Sequence, residues 1–222
     1  SMADFAEARD MVMALKNKYW TDGLYSYKGI QKRVCFHSRE IRGRKDAFNP
    51  DIIDYKSFVA DLSQLMAAIP MCIYASHIDK ERHVNQYIHP IEPYDLCMTF
   101  VLERILRDLP VNQNCVIILE SRGAKEDRAV LDFIKGLIDN GTRFHPASHF
   151  SRIKGVYFNP KWCKAADDRM SYWELELADL CAYPIQKFFV YGTMDLAFQV
   201  ILPKLSHYPD HMGKGLKSFP IT

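Results

Sequence analysis

Cys115–Gly123 reads CVIILESRG, and the interpretation of this stretch decides the fold. Val116, Ile117, Ile118 and Leu119 form a short apolar, largely β-branched run, which predicts a central strand covered on both faces. The run stops abruptly at Glu120, Ser121, Arg122 and Gly123. A carboxylate at the C-terminal end of such a strand stands where open α/β sheets bind their ligands, so Glu120 is the first candidate site residue. The plainer reading is an exposed side chain, or a partner for Arg122.

Outward from this strand, helices and strands alternate. Gly123 makes a turn, and Val130, Phe133, Ile134 and Leu137 predict a helix over 125–139 that Asn140-Gly141 terminates. Ile153–Phe158 reads as a further strand. Upstream, Met98, Val101, Leu102 and Ile105 predict a helix over 94–109. Met71–Ile78 reads as a strand closed by Asp79-Lys80, and Phe58, Leu62, Leu65 and Met66 predict a helix over 55–68. Phe5, Ala8, Val12, Leu15 and Tyr19 place another helix over 4–19, with Asp4 as its cap. Lys32–Phe36 suits a short strand. Near the C-terminus, Tyr172–Tyr183 (YWELELADLCAY) is apolar almost all round, which predicts a buried helix that Pro184 kinks or bounds. A helix around 195–205 follows, and 206–222 reads as a surface tail. The alternation predicts an α/β fold with helices packed on a central sheet, in one domain over 3–205.

Composition excludes several classes. Of 222 residues, 48% are hydrophobic and 25% charged, as in ordinary globular domains, and the net charge of +2 does not announce a nucleic-acid binder. No apolar run approaches the ~18 residues a membrane span requires, and the N-terminus reads as an acidic-flanked helix rather than a signal peptide. The six cysteines show no CxxC spacing, so reduced thiols and a cytoplasmic setting are expected. There is no GxGxxG, Walker loop, GxSxG or HExxH pattern. His145 and His149 flank Pro146 and read as surface residues, and Asp167-Asp168 as a solvated pair or helix cap.

Two further features point to chemistry. Asp179 lies on the predicted apolar helix beside Ala178, Leu175, Ala182 and Tyr183, and a carboxylate there requires a donor, a cation or a metal. A salt bridge or a hydrogen bond to loop backbone satisfies that requirement as well as a metal does. Two carboxylates from different elements at one sheet edge describe an oxygen-ligand site for Mg²⁺ or Mn²⁺. The segment HSREIRGRKDAFNP at 37–50 carries Arg39, Arg42, Arg44 and Lys45; it reads as a solvated loop, or as a basic loop that meets phosphate with His37 and Glu40 near the site.

Three motifs, FHSREIRG near residue 40, VIILESRG, and ELELADLCAYPI, together resemble the family catalogued as domain of unknown function 3800. The resemblance spans roughly residues 30–190 and implies a ribonuclease H-like central mixed sheet flanked by helices. It also implies that Glu120 and Asp179 belong to an acidic site for two-metal phosphodiester hydrolysis. His37, Ser38 and Glu40 match a segment near that site, and Asp79-Lys80 matches a recurrent strand end. Members open with a strand carrying Asp-Glu-Ser. Here the early acidic residues Asp4, Glu7, Asp10 and Asp22 lie in no strand-like run, so a sheet lacking its first strands is expected.

The expectation is a metal-dependent nuclease acting on nucleic acid. Glu120 and Asp179 would hold Mg²⁺ or Mn²⁺, Arg39, Lys80 and Arg122 would face phosphate, and Glu40 or His37 would assist proton transfer. The rival is a catalytically inactive domain of the same fold that binds nucleic acid or a protein partner.

Overall fold

The computed structural model describes residues 2–160 and 172–220, and the chain is mixed α/β. In order, the first elements are α1 (Met2–Tyr19), β1 (Leu24–Tyr27), β2 (Ile30–Arg33), α2 (Ser38–Gly43) and α3 (Tyr55–Ala68). Next come β3 (Ala75–Ile78), α4 (Lys80–Gln86), α5 (Pro93–Asp108), β4 (Cys115–Glu120) and α6 (Ala124–Asn140). The chain continues with α7 (Ala147–Phe150), β5 (Ile153–Asn159), α8 (Trp173–Tyr191), α9 (Leu196–Ile201) and β6 (Leu216–Phe219).

These elements fall into two compact units, and each is described by itself. The first comprises Ser1–Met71 with Pro160–Pro203, and the second Cys72–Asn159 with Lys204–Thr222.

The first unit is mainly helical. Its core is aromatic: Trp20, Phe36, Phe48 and Phe58 are buried, with Trp20 and Phe48 each about edge-on or tilted to Phe58 at 5.4 Å between ring centres. The Trp20 indole N–H donates to the Ala47 carbonyl at 3.1 Å, so the polar end of the ring is satisfied inside the core. Phe188 of α8 stacks on Phe198 of α9 at 4.6 Å. The hairpin β1–β2 is antiparallel, and Lys28-Gly29 closes it with φ of 51° and 78°. Two consecutive positive φ values are what a tight hairpin turn demands, and Gly29 meets that demand without steric cost. Asp54 caps α3 by accepting the Ser57 N–H, and Asp195 caps α9 by accepting that of Phe198.

In the second unit β4 and β5 pair in parallel through α6, a βαβ unit, and β3 pairs in parallel with β6. Leu102, Leu106, Ile134, Leu137, Phe150 and Ile153 form its buried core, with Ile117 and Leu119 packed against them.

Several expectations change. The described strands form three two-stranded pairs rather than one central mixed sheet. β4 is covered on one face only: Cys115, Ile117 and Leu119 turn inward, while Val116 and Ile118 are 55% and 37% exposed, alternating as in any half-buried strand. Residues 206–222, expected as a tail, contribute β6, in which Leu216 is fully buried. Asp4 lies inside the first turn of α1, where its charge suits the helix dipole, rather than at the cap. Helix α8 runs on through Pro184 to Tyr191 and is only partly buried, with Ala178, Ala182 and Gln186 forming an exposed stripe. Asp167-Asp168 lie outside the described residues.

Candidate functional site

In the first unit, α8 carries two carboxylates one turn apart that receive the backbone of an extended segment. Glu176 Oε2 accepts the Phe36 N–H at 2.7 Å, and Asp179 Oδ2 accepts the Ser38 N–H at 2.7 Å. Alternate N–H groups of an extended chain point the same way, so residues 36 and 38 address carboxylates at i and i+3 on one helix face. Glu176 is fully buried and also pairs with the buried Lys16 of α1 at 2.8 Å, whose ammonium lies 5.0 Å from the centre of the Phe36 ring. The deeply buried acid on α8 is therefore Glu176, whereas Asp179 is half-buried. Asp179 was singled out in the sequence and Glu176 was passed over. What separates them is Lys16, 160 positions away in the sequence.

Around Asp179 the structure gathers the segment 37–42. Ser38 is the first residue of α2 and is buried, so Asp179 satisfies one of the orphan N–H groups of that short helix. His37 Nδ1 lies 3.7 Å from Glu40 Oε1, both side chains about a quarter exposed. The Arg42 guanidinium lies over the Tyr183 ring of α8, 3.4 Å from its centre, and donates from Nε to Ser38 Oγ at 3.3 Å. Arg39 is exposed, as are Arg42, Arg44 and Lys45. An imidazole, two carboxylates and a fringe of guanidinium groups are thus held on one short helix and its neighbour, a set suited to proton transfer beside a phosphate.

In the second unit Glu120 ends β4, opposite Asn159 of β5, and is exposed. Just beyond it Gly123, at φ 124°, turns the chain into α6, where Asp127 accepts the Ser121 hydroxyl at 2.5 Å and the Arg122 N–H at 2.8 Å. These bonds hold the Asp127 carboxyl below its ordinary range, the Ser121 hydroxyl first. They also fix the loop that presents Glu120 and Arg122. Arg122 is exposed, its guanidinium 5.5 Å from the Tyr94 ring centre. Asp79 caps α4 by accepting the Arg82 N–H, leaving Lys80 exposed at the first helical position after β3. Glu120 and Lys80 both stand at C-terminal strand ends, as expected. Asp127 went unread in the sequence, although its place as an acid in the first turn of a helix is the available signal.

Glu120, Lys80 and Arg122 belong to the second unit, and Asp179, His37, Glu40 and Arg39 to the first. Among the described residues, no group of three or more His, Cys, Asp or Glu side chains is close enough to hold a metal ion. The five described cysteines are free thiols, and no described helix is long and apolar enough to cross a membrane.

No family model, curated protein or solved structure matches this chain.

Proposed function

We propose that the chain acts on nucleic acid as a phosphodiester-hydrolysing, metal-dependent domain of ribonuclease H-like arrangement. The observation that carries this reading is the approach of FHSREIRG to ELELADLCAYPI, through the 2.7 Å bond from Ser38 to Asp179 and the Arg42 guanidinium 3.4 Å from the Tyr183 ring centre. Two of the three motifs that suggest the family lie together, and they bring an imidazole–carboxylate pair beside Asp179. In this reading Glu40 or His37 moves a proton, Arg39 faces phosphate, and Asp179 is one of the acidic residues that take Mg²⁺ or Mn²⁺. Glu120 is another of those acidic residues, and Lys80 and Arg122 face phosphate as Arg39 does. The domain is cytoplasmic in this reading.

A second reading is a catalytically inactive domain of the same arrangement that binds nucleic acid. It is favoured by the absence of a three-ligand cluster among the described residues and by the structural bond Asp179 already makes. Calorimetric titration with Mn²⁺ separates the two. Heat of binding that disappears in both Asp179→Asn and Glu120→Gln supports hydrolysis. No metal binding, together with salt-sensitive affinity for an oligonucleotide, supports binding alone.

A further inference from the structure

Helix α5 presents Phe100, Glu103, Arg104 and Arg107 along one face, at the i, i+3, i+4 and i+7 spacing of a single helical stripe. This stripe lines an open cleft of about 250 Å³ in the second unit, together with Lys217 of β6, Phe144 and His145. The volume lies just under the ~300 Å³ at which pockets for drug-sized ligands begin, so it suits a small polar group whose remainder lies at the open rim.

The cleft is rich in fixed positive charge. Arg104 is held by its own helix and by the 213 loop, donating to the Phe100 carbonyl at 2.9 Å and to the Gly213 carbonyl at 3.1 and 3.0 Å. Its guanidinium meets carbonyl oxygens there, not a carboxylate, and its charge remains in the cleft. Arg107 is anchored by the neighbouring Asp108 at 2.8 Å. Glu103, the carboxylate of the lining, is buried and accepts the Thr142 hydroxyl at 2.7 Å. Lys217 lies 5.6 Å from the Phe100 ring centre and 6.0 Å from that of Phe219, and no described carboxylate lies within ion-pair distance of it. Burial, and then the Arg104 charge, lower the basicity of the Lys217 amine. An anion in the cleft would reverse that penalty. At the rim Phe144 is 74% exposed, with the Arg143 guanidinium 5.8 Å from its ring centre, a flat surface on which a base can stack.

We propose that this cleft binds a nucleoside phosphate, with the phosphoryl oxygens on Lys217, Arg104 and Arg107 and the base on Phe144. None of these residues belongs to the set assigned to hydrolysis, so the site stands or falls apart from that reading. The same chemistry is offered by a free mononucleotide and by a nucleotide within a single strand.

Calorimetric titration of the full chain with inorganic phosphate, adenosine 5′-monophosphate and a short single-stranded oligonucleotide tests it. Expected are a loss of about tenfold or more in nucleotide affinity in Lys217→Gln and a smaller loss in Lys217→Arg. Phe144→Ala weakens the nucleotide but not inorganic phosphate. Affinity for the mononucleotide assigns the free ligand; affinity for the oligonucleotide alone assigns the strand. The proposal is overturned if no probe binds, or if Lys217→Gln, with an unchanged circular-dichroism spectrum and unfolding midpoint, binds like the original. Unchanged Mn²⁺ binding in Asp179→Asn with nucleotide binding intact would count against hydrolysis at Asp179 alone.

Discussion

At the scale of single residues, buried charge organises the first unit. Glu176 and Lys16 are both removed from water; the Glu176 carboxylate accepts from the Lys16 ammonium and from the Phe36 N–H, and it supplies the opposite charge that Lys16 needs there. Lys16→Met leaves an uncompensated carboxylate in the core and is expected to destabilise by about 3–5 kcal/mol, read from denaturant unfolding. Lys16→Met combined with Glu176→Leu should recover much of that loss. In the second unit, Asp108 Oδ2 accepts from Tyr74, Ser206 and His207 at 3.0, 3.0 and 2.9 Å, while Arg107 holds Oδ1 at 2.8 Å. Burial opposes ionisation of this carboxyl, but the Arg107, Tyr74, Ser206 and His207 bonds outweigh it and hold the group well below its ordinary 3.8. A depressed carboxyl stabilises the fold above its unfolded value, and that stability drains away as pH falls below about 4. An acid titration of stability should therefore be shallower below pH ~4 in Asp108→Asn than in the original chain. These contacts join residues far apart in the chain, and no local pattern announces them. Asp179 could be read as requiring a donor, but the donor's identity, the Ser38 N–H, came only with the fold.

At the scale of elements, periodicity and end signals located most helices and strands. The helix over 55–68 is bounded as expected, because Asp54 caps its start and Pro70 follows its end. β4 has the expected residues but the wrong surroundings: a run of Val, Ile, Ile and Leu looks the same whether one face or two are covered. Leu106→Ala, in the fully buried core beneath β4, should cost about 2–5 kcal/mol, whereas Ile118→Thr on the exposed face should stay within about 0.5 kcal/mol, both measured by denaturant unfolding. An equal loss at both positions would show that the outer face of β4 is covered in solution. The pairing of β6 with β3 escaped the sequence because four residues, Leu216–Phe219, carry too little pattern to stand out between turns.

At the scale of the whole molecule, the chain leaves the first unit at Met71, builds most of the second, returns to the first at Pro160, and ends in the second. The motifs that suggest phosphodiester chemistry are divided accordingly: His37, Glu40 and Asp179 lie in one unit, Lys80, Glu120 and Arg122 in the other. The candidate residues were legible because a carboxylate on an apolar helix or at a strand end is costly or purposeful; their grouping was not, because it depends on tertiary contacts. The proposed reaction is tested most directly at Asp179, where substitution by Asn keeps an oxygen to accept the Ser38 N–H and removes the negative charge. The decisive measurement is Mn²⁺-dependent cleavage of labelled single- and double-stranded nucleic acid by the original chain and by Asp179→Asn. Hydrolysis predicts cleavage that requires the metal and falls by about a hundredfold or more in the variant. Equal cleavage by the two proteins, or none by the original chain, would contradict it.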